Sequence, residues 1–242
     1  MFLSRKNFQV FLFVTAICTA FGFIESSVVI YLRALYYPEG FSFPLAPIDP
    51  GIALTEVIRE FSTLVILLCI GFLSGSYFTT RFAYFMYAFA IWDISYYFFL
   101  KILINWPESF LTMDILFLIP STWTGPVVAP ILLSLIMIIF ALFIIKFNEY
   151  QQVSIKKFEW IVLLTGAVLI VICFTYDYSR YILQEYSIIR LLKELSSKEL
   201  YEYAVAYLPE RFYWGIYITG TCLITGAIIY IVNRTKKEIS KP

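Results

Sequence analysis

The sequence predicts an all-α, polytopic integral membrane bundle of six transmembrane helices, and three observations predict it. Of the 242 residues, 61% are hydrophobic and only 14% are charged, against roughly 25% charged in a soluble domain. Mean hydropathy is +0.81. A hydrocarbon core about 30 Å thick takes roughly 20 apolar helical residues to cross, and six runs are long enough, at 8–36, 51–78, 81–104, 126–147, 158–176 and 211–232. Residues 1–242 therefore read as one transmembrane domain, with an outer helical loop over 177–210.

The first run follows Arg5 and Lys6 as a secretory signal would, but its apolar character continues to Arg33. A signal h-region stops after about 7–15 residues, so a retained span is expected. The loop after it is stiffened by Pro38, Pro44, Pro47 and Pro50, and Asp49-Pro50 has the form of an N-cap followed by proline in the first turn of span two.

Two segments fall outside the spans. Residues 107–120 carry a helical pattern of about thirteen residues, roughly 20 Å at the α-helical rise, which is too short to cross. Pro107 suits a first helical turn, while Pro120, Pro126 and Pro130 interrupt the chain beyond it. The expectation is a short interfacial or re-entrant helix before span four. In the outer loop, Ile188, Leu191, Leu192 and Leu195 recur at helical spacing, and Ser196 with Glu199 reads as a capping box opening a second helix through Leu200, Ala204 and Leu208. Two amphipathic helices are thus expected as an outer cap before span six.

Orientation follows from the basic residues of the short loops. With the N-terminus inside, the inner segments hold ten basic residues (Arg5, Lys6, Arg81, Lys146, Lys156, Lys157, Arg234, Lys236, Lys237 and Lys241) and three acidic ones (Glu149, Glu159 and Glu238), out of 18 and 17 in the chain. Both termini are expected in the cytoplasm and the chain in the plasma (inner) membrane, crossing it repeatedly.

Several charges lie too deep for lipid. A charge at the bilayer centre costs about 2.5–3.5 kcal/mol on insertion scales, so it faces protein or a wet cavity. Asp93 stands twelve residues beyond Arg81, about 18 Å up span three, and Arg59 eight residues below Gly51, about 12 Å down span two. Those depths coincide, which makes Asp93 and Arg59 the expected ion pair. Glu25 lies in the outer third of span one, Glu56 at a similar level on span two, and Glu60 one turn deeper on the face of Glu56. Asp93, Tyr97 and Lys101 follow helical i, i+4, i+8 spacing as a polar track with Tyr96 beside it, and Asp114 would reach the same place from a re-entrant element. The inner halves of the spans carry almost no charge. The expected site is thus an outward pocket of Glu25, Glu56, Arg59, Glu60, Asp93, Tyr97 and Asp114. Gly71 with Gly75 and Cys222 with Gly226 supply small-residue steps for close helix packing.

Three activities fit these residues. Carboxylates are hard oxygen ligands and proton relays, so the pocket suits binding or transport of a small solute or cation, with Asp93 and Glu60 binding and Arg59 holding them oriented. Paired acids could also serve an intramembrane enzyme acting on a lipid or isoprenoid, with Trp92, Tyr96, Tyr97, Trp106 and Trp123 lining its pocket. The third is an accessory subunit of a larger membrane complex. Partners are accordingly the bilayer, a small solute, cation or lipid ligand, and further copies of the chain or other subunits. Absence of histidine removes His-centred triads and haem ligation, and a net charge of +1 removes bulk attraction to nucleic acid. No Walker A or paired-aspartate prenyltransferase motif is present, and nothing in the residues names a cofactor or a metal-ligand set. All four cysteines sit in apolar runs, where they act as small hydrophobes.

Overall fold

The computed structural model describes residues 4–194 and 197–240. Six of its helices are long and apolar enough to cross a membrane: α1 (Arg5–Tyr36), α2 (Pro50–Ser74), α3 (Phe78–Ile104), α4 (Val128–Phe147), α5 (Lys157–Glu185) and α8 (Trp214–Ile239). Between α3 and α4 lies a hairpin of β1 (Met113–Phe117) and β2 (Trp123–Pro126), and between α5 and α8 lie the short helices α6 (Ile188–Glu194) and α7 (Lys198–Val205). The chain is mostly helical, with one two-stranded sheet in place of the all-α expectation.

The helices start where local chemistry satisfies their orphan N–H groups. Ser4 caps α1 through Asn7 N–H, and the Asp49 carboxylate caps α2 by accepting from Gly51 and Ile52 with Pro50 in the first turn. Helix α3 ends on Asn105 in the left-handed region at φ 54°, a conformation asparagine tolerates better than most residues. Buried residues occur all round α3, from Thr79 to Leu100, which marks it as the central post. It packs against α1, α2 and α4, while α5 packs chiefly against α8.

Small residues set the closest crossings. A Cβ on Gly22 of α1 would stand 2.6 Å from Ser95 Cβ and 2.9 Å from the Trp92 carbonyl on α3. Gly71 and Gly75 meet the start of α3 in the same way, as their spacing suggests. The Cys222/Gly226 step behaves differently. Cys222 is exposed and Gly226 has open space around its Cα, so α8 approaches α5 through Gly220 against Gly166. Hydropathy alone does not say which face of an apolar helix meets protein and which meets lipid. Cys18 and Cys173 are buried, whereas Cys69 and Cys222 are exposed on the apolar flanks.

The expected helix over 107–120 is a correction: its second half is β1. Prolines at 107 and 120 bound a stretch whose Met-Asp-Ile-Leu-Phe run pairs antiparallel with Trp123–Pro126, with Met113 opposite Pro126, Asp114 opposite Gly125 and Ile115 opposite Thr124. A bulge at Leu116 breaks the register before Phe117 meets Trp123. The hairpin wedges between helices: Leu118 N–H donates to Glu60 of α2 at 2.8 Å, Asp114 meets Arg33 of α1 and Tyr97 of α3, and Gly125 abuts Phe174 of α5. Glu60 is ten residues along α2 from Pro50, about 15 Å by helical rise, so irregular backbone reaches well into the bundle. Such backbone is tolerated only where protein or a cavity satisfies it.

Helix α5 also runs past the expected end at Tyr176. Asp177 does not stop it, because its carboxylate accepts from Tyr207 O–H at 2.7 Å and Glu210 N–H at 3.1 Å and stays buried. The cap is correspondingly shorter than 177–210. Two short helices are present, and Ser197 caps α7 by accepting from Leu200 N–H; the expected cap residue Ser196, with Leu195, lies outside the described residues. Leu208 falls beyond α7, which ends at Val205. The proline-rich first loop docks on this helix through Leu45 N–H to Val205 O, and Tyr201 O–H exchanges hydrogen bonds with Ile48.

The start of α1 and the last turns of α8 lie at the opposite end from the hairpin. Ser4 N–H and Asn7 Nδ2 donate to Glu149 in the α4–α5 loop at 2.7 and 2.8 Å, and Arg234 grips Glu159 through two nitrogens at 2.7 and 2.9 Å. Burial opposes the charge on Glu149, but the hydrogen bonds from Ser4, Lys146 and Asn7 outweigh it and hold the carboxyl at about 2.

Candidate functional site: two adjoining chambers at the hairpin end

Each helix presents one polar stripe to the space under the hairpin. On α1 the stripe is Glu25 and Arg33, two turns apart with Val29 between them, and on α2 it is Glu56, Arg59, Glu60 and Thr63 at the i, i+3, i+4, i+7 repeat of one helix face. Helix α3 contributes Asp93, Tyr96 and Tyr97, and α4 contributes Ser134. Crossings near Gly22 bring α1 onto α3 closely enough for these stripes to meet.

Arg59 is the ionic hub. Its guanidinium pairs with Glu25 across the helix interface and with Glu56 one turn back at 2.8 Å, and Thr63 donates to the second oxygen of Glu25 at 3.4 Å. The expected Asp93–Arg59 pair is not formed, which corrects the reading from depth. Counting along spans gives height and not azimuth; Glu56 shares the face of Arg59, whereas Asp93 turns toward α4 and accepts from Ser134 O–H at 2.8 Å. Glu60 follows Arg59 directly and so points about 100° away from it, as consecutive residues on a helix do; it accepts instead from the hairpin N–H of Leu118.

A second ion pair lies toward the rim. Arg33 meets Asp114 at 3.4 Å, and Tyr97 O–H donates to the other oxygen of Asp114 at 3.2 Å. The Arg33 guanidinium lies 3.8 Å over the Trp106 ring and 4.5 Å from that of Phe41, a stacking that suits its weakly hydrated plane. The polar track on α3 therefore turns at Tyr97 into the hairpin. Lys101 leaves it and donates to the carbonyls of Asn105 and Pro107 at 3.4 and 2.9 Å.

These groups border two adjoining chambers. The inner one, about 70 Å³, is lined by Glu25, Arg59, Glu60, Asp93 and Tyr97 together with Trp92. The outer one, about 320 Å³, has mostly apolar and aromatic walls, with Glu56, Asp114 and Arg33 on it. Val29, Arg59, Glu60, Tyr96 and Ile115 border both. All seven residues singled out from the sequence thus reach one chamber or the other. Arg33, Ser134 and Thr63 were not among them. Arg33 reads as a rim residue by depth, and a hydroxyl in an apolar helix has no signal beyond its polarity.

Charge is unevenly matched here. Glu25 and Glu56 share Arg59, and Asp114 has Arg33. Glu60 and Asp93, both buried, each accept one hydrogen bond from a neutral donor and form no salt bridge among the described residues, although Glu60 stands within the field of Arg59.

Six helices long and apolar enough to cross a membrane mark the chain as a multi-pass membrane protein. No protein-family model matches the chain, and neither a curated protein nor a solved structure matches it.

Proposed function

We propose that this protein binds a small solute or cation in the paired chambers and transports it, with Asp93 and Glu60 as the binding carboxylates. One observation carries the reading: both carboxylates border the inner chamber and form no salt bridge among the described residues. Neutralisation within the protein accounts for Glu25, Glu56 and Asp114, which have arginines. It leaves the other two without a salt bridge, and a charge in such surroundings is costly unless it is paired. Room of this size, with apolar walls and a few converging polar groups, is the ordinary form of a small-molecule site. The positive-inside asymmetry turns the chambers to the outer side of the plasma membrane. In this arrangement Arg59 pairs with Glu25 and Glu56 and fixes the wall against which Glu60 stands.

The test is reconstitution in proteoliposomes on a solid-supported membrane, with current recorded on concentration jumps of Na⁺, K⁺, Ca²⁺ and small organic cations, and labelled uptake of neutral solutes. A saturable response that disappears in Asp93→Asn and Glu60→Gln is expected. An undiminished response in both variants overturns the proposal.

A further inference from the structure

We infer that the two chambers form a single site for an amphiphilic amine, its ammonium held between Asp93 and Glu60 and its apolar body in the outer chamber. The inference rests on the binding role proposed above and names its ligand class. Adjacency comes first: Arg59, Glu60 and Tyr96 border both chambers, which places a head group in the inner one beside an apolar body in the outer one. Their shapes differ in a way that sorts a ligand. The inner space of about 70 Å³ takes a few water-sized groups, since one water needs about 10–15 Å³ on this measure. An ammonium head fits it and a ring does not. The outer space of about 320 Å³, walled by side chains such as Leu32, Phe41 and Ala53, matches the apolar part.

Charge fixes the sign of the head. Three carboxylates, Glu25, Glu60 and Asp93, line the inner chamber with the Arg59 guanidinium, and Glu60 and Asp93 form no salt bridge among the described residues; an ammonium brings three N–H donors to them. Trp92, Tyr96 and Tyr97 border the same space, and aromatic faces add attraction for a cation within about 6 Å. Among the described residues no three acidic side chains group closely enough to ligate one metal ion, whereas an ammonium is satisfied by two.

Two buried donors point independently to a ligand. Trp92 is 6% exposed and its Nε1–H has no acceptor among the described residues, and Arg33 is 9% exposed with Nη1 likewise unmatched. Trp92 lines the inner chamber and Arg33 the outer one. An unmatched buried donor is costly, and oxygen acceptors on the ligand would remove that cost. A hydroxyl next to the ammonium would serve Trp92, so the favoured class is an amphiphilic amino alcohol.

Calorimetric titration of the full-length protein in nanodiscs tests this, with three probes of one shape: phenethylammonium, 2-phenylethanol and 3-phenylpropanoate, each against empty nanodiscs. A fourth, 2-amino-1-phenylethanol, adds the hydroxyl. Phenethylammonium should bind saturably and at least tenfold more tightly than the alcohol, and the carboxylate should not bind. Asp93→Asn and Glu60→Gln should each weaken it about thirtyfold or more, as loss of one partner of a buried charged contact does. Trp92→Phe should remove the preference for the amino alcohol over phenethylammonium, and Glu149→Gln, at the far end, should change nothing. Equal binding of alcohol and ammonium overturns the amine assignment and leaves a small-solute site standing. Inorganic-cation currents lost in Asp93→Asn, with no probe bound, overturn it in favour of an ion site. If no probe binds saturably and no currents appear, both this inference and the proposed function fall.

Discussion

Replacing Arg59 by Gln removes the one cation shared by Glu25 and Glu56 and is the sharpest structural perturbation of the site. Breaking a buried ion pair from one side costs about 3–5 kcal/mol, because the abandoned carboxylate keeps its desolvation penalty. Arg59 retains 22% side-chain exposure and Glu25 only 8%; water relieves part of that penalty, and about 2–3 kcal/mol is expected. For a chain of this length each kcal/mol is worth about 2–4 °C, so the unfolding midpoint in nanodiscs should fall by about 4–12 °C. Adding Glu25→Gln to Arg59→Gln removes one stranded charge and should recover part of the loss, a coupling of about 1–3 kcal/mol. A fall under about 2 °C, below the range that this conversion gives, or a double variant no more stable than the single one, would refute Arg59 as the hub that neutralises these acids.

The remaining predictions concern packing, the cap and the terminal end. Gly22→Val should cost about 1–3 kcal/mol by overpacking against Ser95 and the Trp92 carbonyl, while Gly226→Val should be near neutral because nothing lies within 4 Å of its Cβ direction; equal midpoints for the two would contradict the α1–α3 crossing. Tyr207→Phe deletes the donor to Asp177 and should speed hydrogen exchange over 198–212, with unchanged exchange counting against the cap's attachment to α5. At Glu149 the folded carboxyl is held at about 2, below the ordinary 4.5. Its stabilisation is therefore complete above about 4.5 and lost as pH falls toward 2. The midpoint difference between the protein and Glu149→Gln should accordingly shrink across that window; a difference that grows on acidification would reverse the assignment.

Much of the architecture is legible in the sequence because lipid imposes a strict length and polarity on each span. The Asp49-Pro50 start of α2 is local chemistry and is visible as such. The hairpin is not: the twelve residues between Pro107 and Pro120 carry apolar positions that fit a short helix or a strand, and what selects the strand is the pairing of Met113–Phe117 with Trp123–Pro126. The length of α5 is hidden for a similar reason, since Asp177 looks like a boundary until Tyr207 arrives from the cap. Within the site, spacing along the helices identifies which charges are deep, but the partners depend on rotation about each helix axis. That is why Arg59 takes Glu25 and Glu56 while Asp93 faces Ser134. Arg33 shows the complementary gap: eight residues beyond Glu25 it reads as a rim charge, yet Asp114 on the hairpin draws it into the bundle.

The central claim is that Asp93 and Glu60 hold a ligand that the protein itself does not supply. Infrared difference spectroscopy on nanodisc-embedded protein, before and after addition of phenethylammonium or Na⁺, reads the carboxyl groups directly. A carboxylate difference band is predicted in the native chain, reduced in Asp93→Asn or Glu60→Gln and absent when both are replaced. A spectrum with no carboxylate change, or one that survives in the double variant, would contradict the account.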